Sequence, residues 1–378
     1  MGTGARRVAF VCHWDWVLHR FRVPVARALL VAGVEVVAIC PDGPHVTDLE
    51  RAGLRWRDWP VDRASLRPTA ELGALARLTR ILRAERPDAV HLFTVKPILY
   101  GAVAARLTRV PTVIAAFSGL GWVFSDDGDA ARTQRAVVPA LRWALRGATV
   151  TAMNPDDLSH LQRRGIADPN RSVLVPEGVD LTSFHPPASP PDNARPRLVV
   201  ACRLIEDKGI ADLVAASARL RDRGVDVDVV VAGAPDPGNP ATVPDDDLAA
   251  WADTPGITLL GPVDDIAALL HTADVAVLPT RYPEGAPRFL MEAAATGVPA
   301  VTTDVPGARL VVEDGDTGVL VPAGDVAALT DALADLVHDD RRRVTLGRRA
   351  RAHAEEHFDD RDVTRAHAAL YRRLGLVP

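Results

Sequence analysis

The chain has 378 residues, which at ~150 residues per domain predicts two domains. It is 48% hydrophobic and 25% charged, as in soluble globular proteins, and its formal charge of −5 argues against a general nucleic-acid-binding protein. No apolar run approaches the ~18 residues of a membrane span. Three widely spaced cysteines, Cys12, Cys40 and Cys202, indicate reduced thiols and a cytoplasmic setting.

Short strand-like runs alternate with helical stretches along the first half of the chain. The predicted strands are 7–12, 34–40, 89–93 and 112–117, and the predicted helices are 20–32, 72–86 and 100–109. Near-continuous apolar strands between amphipathic helices are typical of a parallel sheet that is covered on both faces.

This alternation of strands and helices is interrupted at residues 184–196, a proline-rich linker, and then resumes. The second half is predicted to contain strands 197–202, 227–232, 257–260, 274–278 and 300–303, a helix 208–222 and an exposed insertion 234–247. The fold class is therefore α/β, with two doubly wound Rossmann-like domains, 1–185 and 186–358, that face a central cleft. Ligands of such sheets bind at the carboxyl ends of the strands.

Two glutamates follow the strand that ends at residue 278. Glu284 lies in a Gly- and Pro-containing loop, and Glu292 lies on the apolar body of the helix 288–295. A buried glutamate requires a partner, and a ribose with two hydroxyl groups is one candidate for Glu292. The alternative is that Glu284 is a surface residue and that Glu292 pairs with a nearby arginine.

The segment ACRLIEDKG, residues 201–209, places two cations where a strand ends and a helix begins. Arg203 and Lys208 there could hold a diphosphate and offset the charge that develops as it leaves. Of 44 basic residues only Lys96 and Lys208 are lysines, which suggests that a compact ammonium group is needed at these positions. A solvated first-turn lysine is the alternative, although a lysine at a helix start opposes the helix dipole.

These segments resemble the retaining GT-B glycosyltransferases of glycosyltransferase family 4. The resemblance covers nearly the whole chain through five motifs in the family's order: PEGVDLTSF (176–184), ACRLIEDKG (201–209), LLGPVDDIAALLHTADVAVLPT (259–280), EGAPRFLMEAAATGVPAV (284–301) and GDTGVLVPAGDVAAL (315–329). It implies a C-terminal helix, 359–378, that crosses back to the N-terminal domain.

The resemblance also implies roles for individual residues. Arg203 and Lys208 bind the donor diphosphate, Glu284 faces the transferred sugar, and these three are the catalytic residues. Glu292 holds the ribose. The other donor-binding positions are Gly261 and Val263 near the base, and Gly285, Ala286, Pro287 and Arg288 at the helix start. The chain departs from the family at Glu177, where Asn or Ser is frequent, and at Ser118, where many members have a histidine.

The acceptor side resembles a subgroup that extends polyprenyl-diphosphate-linked saccharides. The similar segments are HWDWVLHRFRVPVARAL (13–29), HLFTVKPILYGAVAARL (91–107) and FSGLGWVF (117–124). The acceptor-side residues predicted from them are His13, Asp15, Trp16, Arg20, Arg22, Lys96, Ser118 and Gly119. One hypothesis is that Lys96 and the arginines contact a phosphate of the acceptor; a simple helix-start charge is the alternative for Lys96.

The predicted reaction is retaining transfer of a hexose or N-acetylhexosamine from a UDP-sugar to a hydroxyl of a lipid-diphosphate-linked saccharide. The sequence offers no clear nucleophile, which favours front-face attack. The partners are a nucleotide sugar and an acceptor, with no cofactor, no metal and no nucleic acid; HAEEH (353–357) is interpreted as a solvated helix face. The predicted location is cytoplasmic, with peripheral contact to the inner membrane face left open. A transferase for soluble natural products, a nucleotide-sugar epimerase and a non-catalytic binding module are the alternatives.

Overall fold

The computed structural model describes residues 5–62, 67–121, 124, 128–236, 239, 241–281 and 284–377, with residues 128–130 as backbone only. The chain forms two compact units. The first is Met1–Pro176 together with Asp362–Pro378, and the second is Glu177–Arg361. No helix in the described ranges combines the length and the hydropathy that crossing a bilayer requires.

The first unit contains a seven-stranded, entirely parallel sheet. Its strands are β1 (Arg7–Val11), β2 (Glu35–Cys40), β3 (Arg55–Asp58), β4 (Ala89–Phe93), β5 (Thr112–Phe117), β6 (Thr149–Ala152) and β7 (Ser172–Leu174), in the spatial order β3-β2-β1-β4-β5-β6-β7. Its helices before the linker are α1 (Asp15–Val31), α2 (Val46–Arg51), α3 (Pro68–Glu85), α4 (Val95–Thr108), α5 (Gly128–Ala144) and α6 (Pro155–Arg163).

Both faces of this sheet are buried, because successive side chains along a strand point to opposite sides. On β1, Ala9 and Val11 join one hydrophobic cluster, whereas Val8 and Phe10 join the other. The apolar character of the central strands follows from this double coverage by helices.

The second unit contains a six-stranded, entirely parallel sheet. Its strands are β8 (Arg197–Ala201), β9 (Asp228–Ala232), β10 (Ile257–Gly261), β11 (Val275–Leu278), β12 (Ala300–Thr303) and β13 (Gly318–Val321), in the order β10-β9-β8-β11-β12-β13. Its helices are α7 (Ile210–Asp222), α8 (Asp245–Ala252), α9 (Ile266–Leu270), α10 (Arg288–Ala295), α11 (Pro306–Val311), α12 (Val326–His338) and α13 (Asp340–His357). Short 3-10 turns span Pro169–Arg171 and Glu206–Lys208.

The C-terminal helix α14 (Asp360–Arg373) contributes to the core of the first unit. Its Leu370 and Tyr371 are buried there, and the Tyr371 hydroxyl lies 2.7 Å from Nδ1 of His91 on β4. The first unit thus consists of two segments that are distant in the chain.

The predicted α/β class with two doubly wound domains is confirmed by these sheets. The unit boundary falls at Pro176 rather than at 185, because Val179 and Phe184 are buried in the core of the second unit. The predicted exposed insertion 234–247 was wrong in part: Asp236 and Val243 are buried, and the Val243 amide donates to the Leu204 carbonyl at 3.1 Å.

Each sheet has a point where the strand order reverses. It lies between β1 and β4 in the first unit and between β8 and β11 in the second. Chain connections leave such a point in opposite directions, which opens a crevice at the carboxyl ends of the two strands. These two points are where the functional residues of each unit are expected.

Candidate active site

An ion pair occupies the reversal point of the second unit. Lys208 ends the 3-10 turn after β8, and its ammonium contacts Oε1 of Glu284, which follows β11. The hydroxyl of the buried Thr280 donates to the same carboxylate oxygen at 3.2 Å. Each charged side chain is 12% exposed, so the pair is largely desolvated and its two charges depend on each other.

The loops that carry this pair are joined through their backbones. The Arg281 amide donates to the Asp207 carbonyl at 2.7 Å. The single proton of the Thr280 hydroxyl is shared between this carbonyl and the Glu284 carboxylate, each at 3.2 Å. Gly209 has a φ of +70°, and a Cβ at this position would lie 2.0 Å from the Pro279 carbonyl oxygen. Only glycine therefore permits this approach of the two loops.

Arg203 is oriented by a carboxylate that the sequence analysis did not identify. Its guanidinium donates to Asp236 at 2.5 Å, and Asn239 donates to the same carboxylate oxygen at 3.2 Å. Asp236 is 6% exposed, whereas the Arg203 side chain is 45% exposed. A buried carboxylate thus orients an accessible cation. The signal in the sequence that could have indicated Asp236 is an acidic residue shortly after the second strand of the unit, β9.

Glu292 is buried on α10 and pairs with Arg288 one turn earlier. The Arg288 Nε donates to the Glu292 carboxylate at 2.9 Å, and Glu292 is 5% exposed. One partner of this buried glutamate is therefore an arginine of its own helix, as the alternative given for Glu292 expected. A ribose contact for Glu292 remains a prediction.

Cys202 lies among the three predicted catalytic charges. Burial raises the pKa of its thiol to about 12; Lys208 and Arg203 act to lower it and Glu284 to raise it. Arg203 and Lys208 follow β8 and Glu284 follows the neighbouring strand β11, so all three lie at this edge of the sheet. A thiol with this pKa stays protonated near neutral pH and is a poor nucleophile.

The other predicted donor residues follow the same sheet edge. Gly261 ends β10 with a φ of +71°, and Val263 follows it, partly exposed. Gly285, Ala286 and Pro287 lead into α10, with Pro287 as its N-cap residue. Gly307 packs against this loop, because a Cβ there would lie 2.2 Å from the Glu284 carbonyl oxygen. Their contacts with a nucleotide stay predictions.

His13 and Thr94 meet at the reversal point of the first unit. His13 follows β1 and Thr94 follows β4, and the Thr94 hydroxyl lies 2.8 Å from Nδ1 of His13. Thr94 has a φ of +71° and a ψ of 154°, a conformation that costs a β-branched residue roughly 1–3 kcal/mol. Sequence reasoning singled out His13 but not Thr94.

Two predicted acceptor-side residues are buried. Asp15 is 4% exposed and accepts a hydrogen bond from the His45 amide at 2.8 Å, which joins the loops after β1 and β2. Arg22 is 5% exposed and lies over the Phe93 ring at 4.9 Å. Both side chains are therefore largely enclosed. Contact of Asp15 and Arg22 with an acceptor stays a prediction.

The other acceptor-side residues are more accessible. Trp16 packs against Trp14 and Phe21 with ring centroids 5.1 and 5.3 Å apart. Arg20 and Ser118 are exposed, and Gly119 has a φ of +116°. Nothing in this arrangement assigns them a ligand.

Lys96 lies in the first turn of α4, within a local network. Its ammonium donates to the Asp62 carbonyl at 2.7 Å and to Glu71 Oε1 at 3.1 Å. The hydroxyl of Tyr100 contacts the other oxygen of Glu71, and burial together with this carboxylate raises the tyrosine pKa. Contact of Lys96 with an acceptor phosphate remains a prediction, and it would require this network to open.

Across the described ranges, one group of side chains has the spacing to hold a metal ion. His19, His45 and Asp48 offer ligand atoms within 4.8 Å of one another. The two imidazole rings are stacked at 4.9 Å, and Asp48 accepts from Arg51 at 2.7 Å. The group lies in the first unit and includes none of the predicted donor residues.

Two family models match the two units. Residues 19–178 match a model described as a glycosyl transferase 4-like domain, and residues 195–339 match one described as glycosyl transferases group 1. The chain belongs to this glycosyltransferase family. The recognition made from the sequence motifs is thereby confirmed.

The glycosyltransferase is similar along its whole length to a curated enzyme of Campylobacter jejuni. The two are 25% identical over 384 residues, which cover 97% of this chain and 99% of the relative. That relative is named N,N'-diacetylbacillosaminyl-diphospho-undecaprenol alpha-1,3-N-acetylgalactosaminyltransferase.

Solved glycosyltransferases share the fold of this one. Sucrose-phosphate synthase of Thermosynechococcus elongatus matches with a TM-score of 0.82 and 20% identity, over 98% of this chain and 99% of that one. Anabaena HepE in complex with UDP and glucose matches with a TM-score of 0.78 and 19% identity, over 97% and 99%. The glycosyltransferase therefore has the GT-B fold.

Proposed function

We propose that this glycosyltransferase moves a hexose or N-acetylhexosamine from a UDP-sugar to a hydroxyl of a lipid-diphosphate-linked saccharide, with retention of anomeric configuration. The full-length similarity to the Campylobacter enzyme supports the acceptor class, and the UDP and glucose bound to HepE support the donor class. An acceptor of this class would bring the enzyme to the inner face of the membrane as a peripheral protein.

The observation that carries the proposal is the Lys208–Glu284 pair at the reversal point of the second sheet, with Arg203 in the same loop after β8. Two fixed cations neutralise the charge that accumulates on a departing diphosphate. Donors of this kind, positioned before the reaction, contribute roughly 10²–10³-fold to the rate in other enzymes. Glu284 would orient the sugar through its hydroxyl groups.

Retention is proposed to occur by front-face attack. The bond between the anomeric carbon and the phosphate oxygen breaks, and the acceptor oxygen bonds to the same face of that carbon. The acceptor's proton passes to the departing phosphate oxygen. A carboxylate nucleophile is the usual alternative for retention. Glu284 is engaged by Lys208 and Thr280, which supports attack without a protein nucleophile.

The nucleotide would lie along the carboxyl edge of the same sheet. Glu292 would accept hydrogen bonds from the ribose hydroxyls, and backbone groups near Gly261 and Val263 would contact the base. The reaction needs no further cofactor or metal, because Arg203 and Lys208 supply the positive charge at the diphosphate.

The test is a panel of UDP- and GDP-sugars with lipid-diphosphate-linked and water-soluble acceptors. We expect thermal stabilisation by one UDP-sugar, lost in Lys208→Ala, and product whose anomeric coupling constant in NMR equals that of the donor. Transfer only to water-soluble acceptors would mean that the acceptor is not a lipid-linked saccharide. A product with inverted anomeric configuration would overturn the mechanism. Release of a 2-epimerised sugar without acceptor would identify an epimerase.

A further inference from the structure

The His13–Thr94 pair is the counterpart, in the first unit, of the Lys208–Glu284 pair in the second. Each pair joins the residues that follow the two strands at which the order of the sheet reverses. The proposed function uses the second pair directly. It gives no role to Thr94.

Thr94 departs from two preferences of its residue type. Threonine is β-branched and avoids positive φ, yet Thr94 has a φ of +71°. Threonine at an N-cap position usually accepts a hydrogen bond from its own helix, yet among the described residues the Thr94 side chain makes no capping bond to α4. The hydroxyl lies against Nδ1 of His13 instead, at 2.8 Å.

We propose that Thr94 is a positioning residue for His13 in acceptor binding, an inference that rests on the proposed transferase function. In this proposal the Thr94 hydroxyl is the donor and Nδ1 of His13 is the acceptor of the 2.8 Å contact. A neutral imidazole has one donor and one acceptor nitrogen, so this bond leaves the proton on Nε2. Nε2–H is then the group that donates a hydrogen bond to an oxygen of the acceptor.

The location supports this role. His13 and Thr94 are both partly buried, so the pair is shielded but reachable from solvent. Ligands of doubly wound sheets bind at the reversal point. Strained residues persist where the surroundings impose them, and they concentrate at functional sites.

The test compares two substitutions that differ in the hydroxyl group. Thr94→Val keeps the branched shape and removes the donor, whereas Thr94→Ser keeps the donor and removes the methyl group. We expect Thr94→Val to lower kcat/KM for the acceptor about tenfold, as for one lost hydrogen bond, and Thr94→Ser to remain within about threefold of the wild type.

A matched control lies at the other end of the same helix. Thr108 donates to the Ala104 carbonyl at 2.8 Å and is the last residue of α4. Thr108→Val removes a threonine hydroxyl from α4 without touching His13, so acceptor kinetics should not change. An equal loss in Thr108→Val and Thr94→Val would mean that general weakening of α4 explains the result, and it would overturn the proposal.

Nitrogen-15 NMR of the His13 imidazole supplies a readout that is independent of transfer. We expect a single Nε2–H tautomer in the wild type and in Thr94→Ser, and a mixture of tautomers in Thr94→Val. An unchanged tautomer in Thr94→Val overturns the positioning role, whatever the activity is. Absence of transfer to every lipid-linked acceptor, with the expected tautomer change, would instead refute the proposed acceptor class and leave the Thr94–His13 relationship established.

Discussion

The ammonium of Lys208 is paired with the carboxylate of Glu284 across 76 positions of the chain, at the carboxyl ends of β8 and β11. One residue belongs to a 3-10 turn and the other to a loop before a helix. Their contact exists because β8 and β11 are neighbours in the sheet although β9 and β10 lie between them in the sequence. The contact therefore depends on the strand order of the sheet, and it joins two of the residues that were predicted to be catalytic.

Removal of the Lys208 ammonium is expected to impair both catalysis and stability. Lys208→Ala should lower kcat/KM by about 10²–10³-fold, as for loss of a charge that stabilises a leaving group. It should also lower the melting temperature, because the Glu284 carboxylate stays in a site where it is 12% exposed.

The control for this variant is an exposed ion pair of the same unit. Arg223 and Asp331 are 46% and 65% exposed, so Arg223→Ala should change stability by less than about 1 kcal/mol. Steady-state kinetics and calorimetry measure both effects. Equal behaviour of Lys208→Ala and Arg223→Ala would show that the Lys208–Glu284 pair has no special role.

The proposed ribose contact predicts a specific pattern of nucleotide affinities. The wild type should bind UDP more tightly than 2′-deoxy-UDP, by about tenfold for one hydrogen bond to a charged group. In Glu292→Gln this difference should shrink, and UDP binding itself should weaken. Isothermal titration calorimetry gives all four values. If the wild type binds the two nucleotides equally, Glu292 serves only its helix and its partner Arg288.

Gly209 and Gly224 flank α7. They have similar backbone conformations but differ in the space available for a side chain, so comparing them isolates the steric effect. Their φ values are +70° and +78°, but a Cβ at 209 would lie 2.0 Å from the Pro279 carbonyl oxygen, whereas nothing lies within 4 Å at 224. Gly224→Ala should cost about 1 kcal/mol for the positive φ alone. Gly209→Ala should cost more and should also reduce activity, because the loops carrying Lys208 and Glu284 must separate.

Denaturant titrations and donor binding measure this comparison. Similar losses of stability in the two variants, with donor binding intact in Gly209→Ala, would contradict a steric requirement at 209. The close approach of the loops would then be dispensable for the site.

Acid is expected to weaken the attachment of α14 to the first unit. Burial lowers the pKa of His367 to about 4, with Arg22 as a second cause, and burial lowers that of His91 well below its usual value. A histidine with a depressed folded-state pKa stabilises the fold fully above its unfolded pKa of ~6.5. That contribution is lost as the pH falls from about 6.5 towards 4.

The size of this effect for His367 is on the order of 3 kcal/mol, because its pKa falls from about 6.5 to about 4 on folding. The free energy of unfolding should therefore fall with decreasing pH across this range, and the slope should be smaller in His367→Gln. An identical slope in the wild type and in His367→Gln would show that this imidazole does not couple protonation to folding.

Several elements could be predicted from local pattern alone. Strands β4 and β5 begin and end where the sequence analysis put them, because their apolar runs are bounded by polar residues and glycine or proline. Helix α4 begins at Val95 rather than at the predicted residue 100, and its first turn contains Pro97, which is compatible with a helix start. Local sequence pattern predicts least well the boundary between a loop and a helix, because the same residue types occur on both sides of it.

The residues predicted to bind the donor were named individually, but the buried partner of Arg203 was not. Arg203 was recognised as a cation at a strand end, yet Asp236 was assigned to an exposed insertion. The Asp-, Gly- and Pro-rich composition of that segment resembles a surface loop, and only its position beside β8 makes Asp236 a buried partner. The strain at Thr94 is likewise absent from the sequence, because it arises from contacts around the residue.

The sequence by itself determined the alternation of strands and helices, the two-domain α/β class and the family, since these depend on apolar periodicity and on motifs contiguous in the chain. The tertiary structure alone decided which polar side chains meet: Lys208 with Glu284, Arg203 with Asp236, and His13 with Thr94. The physical reason is that strand order in a parallel sheet is set by long-range packing. Residues distant in the chain become neighbours only once the sheet has formed.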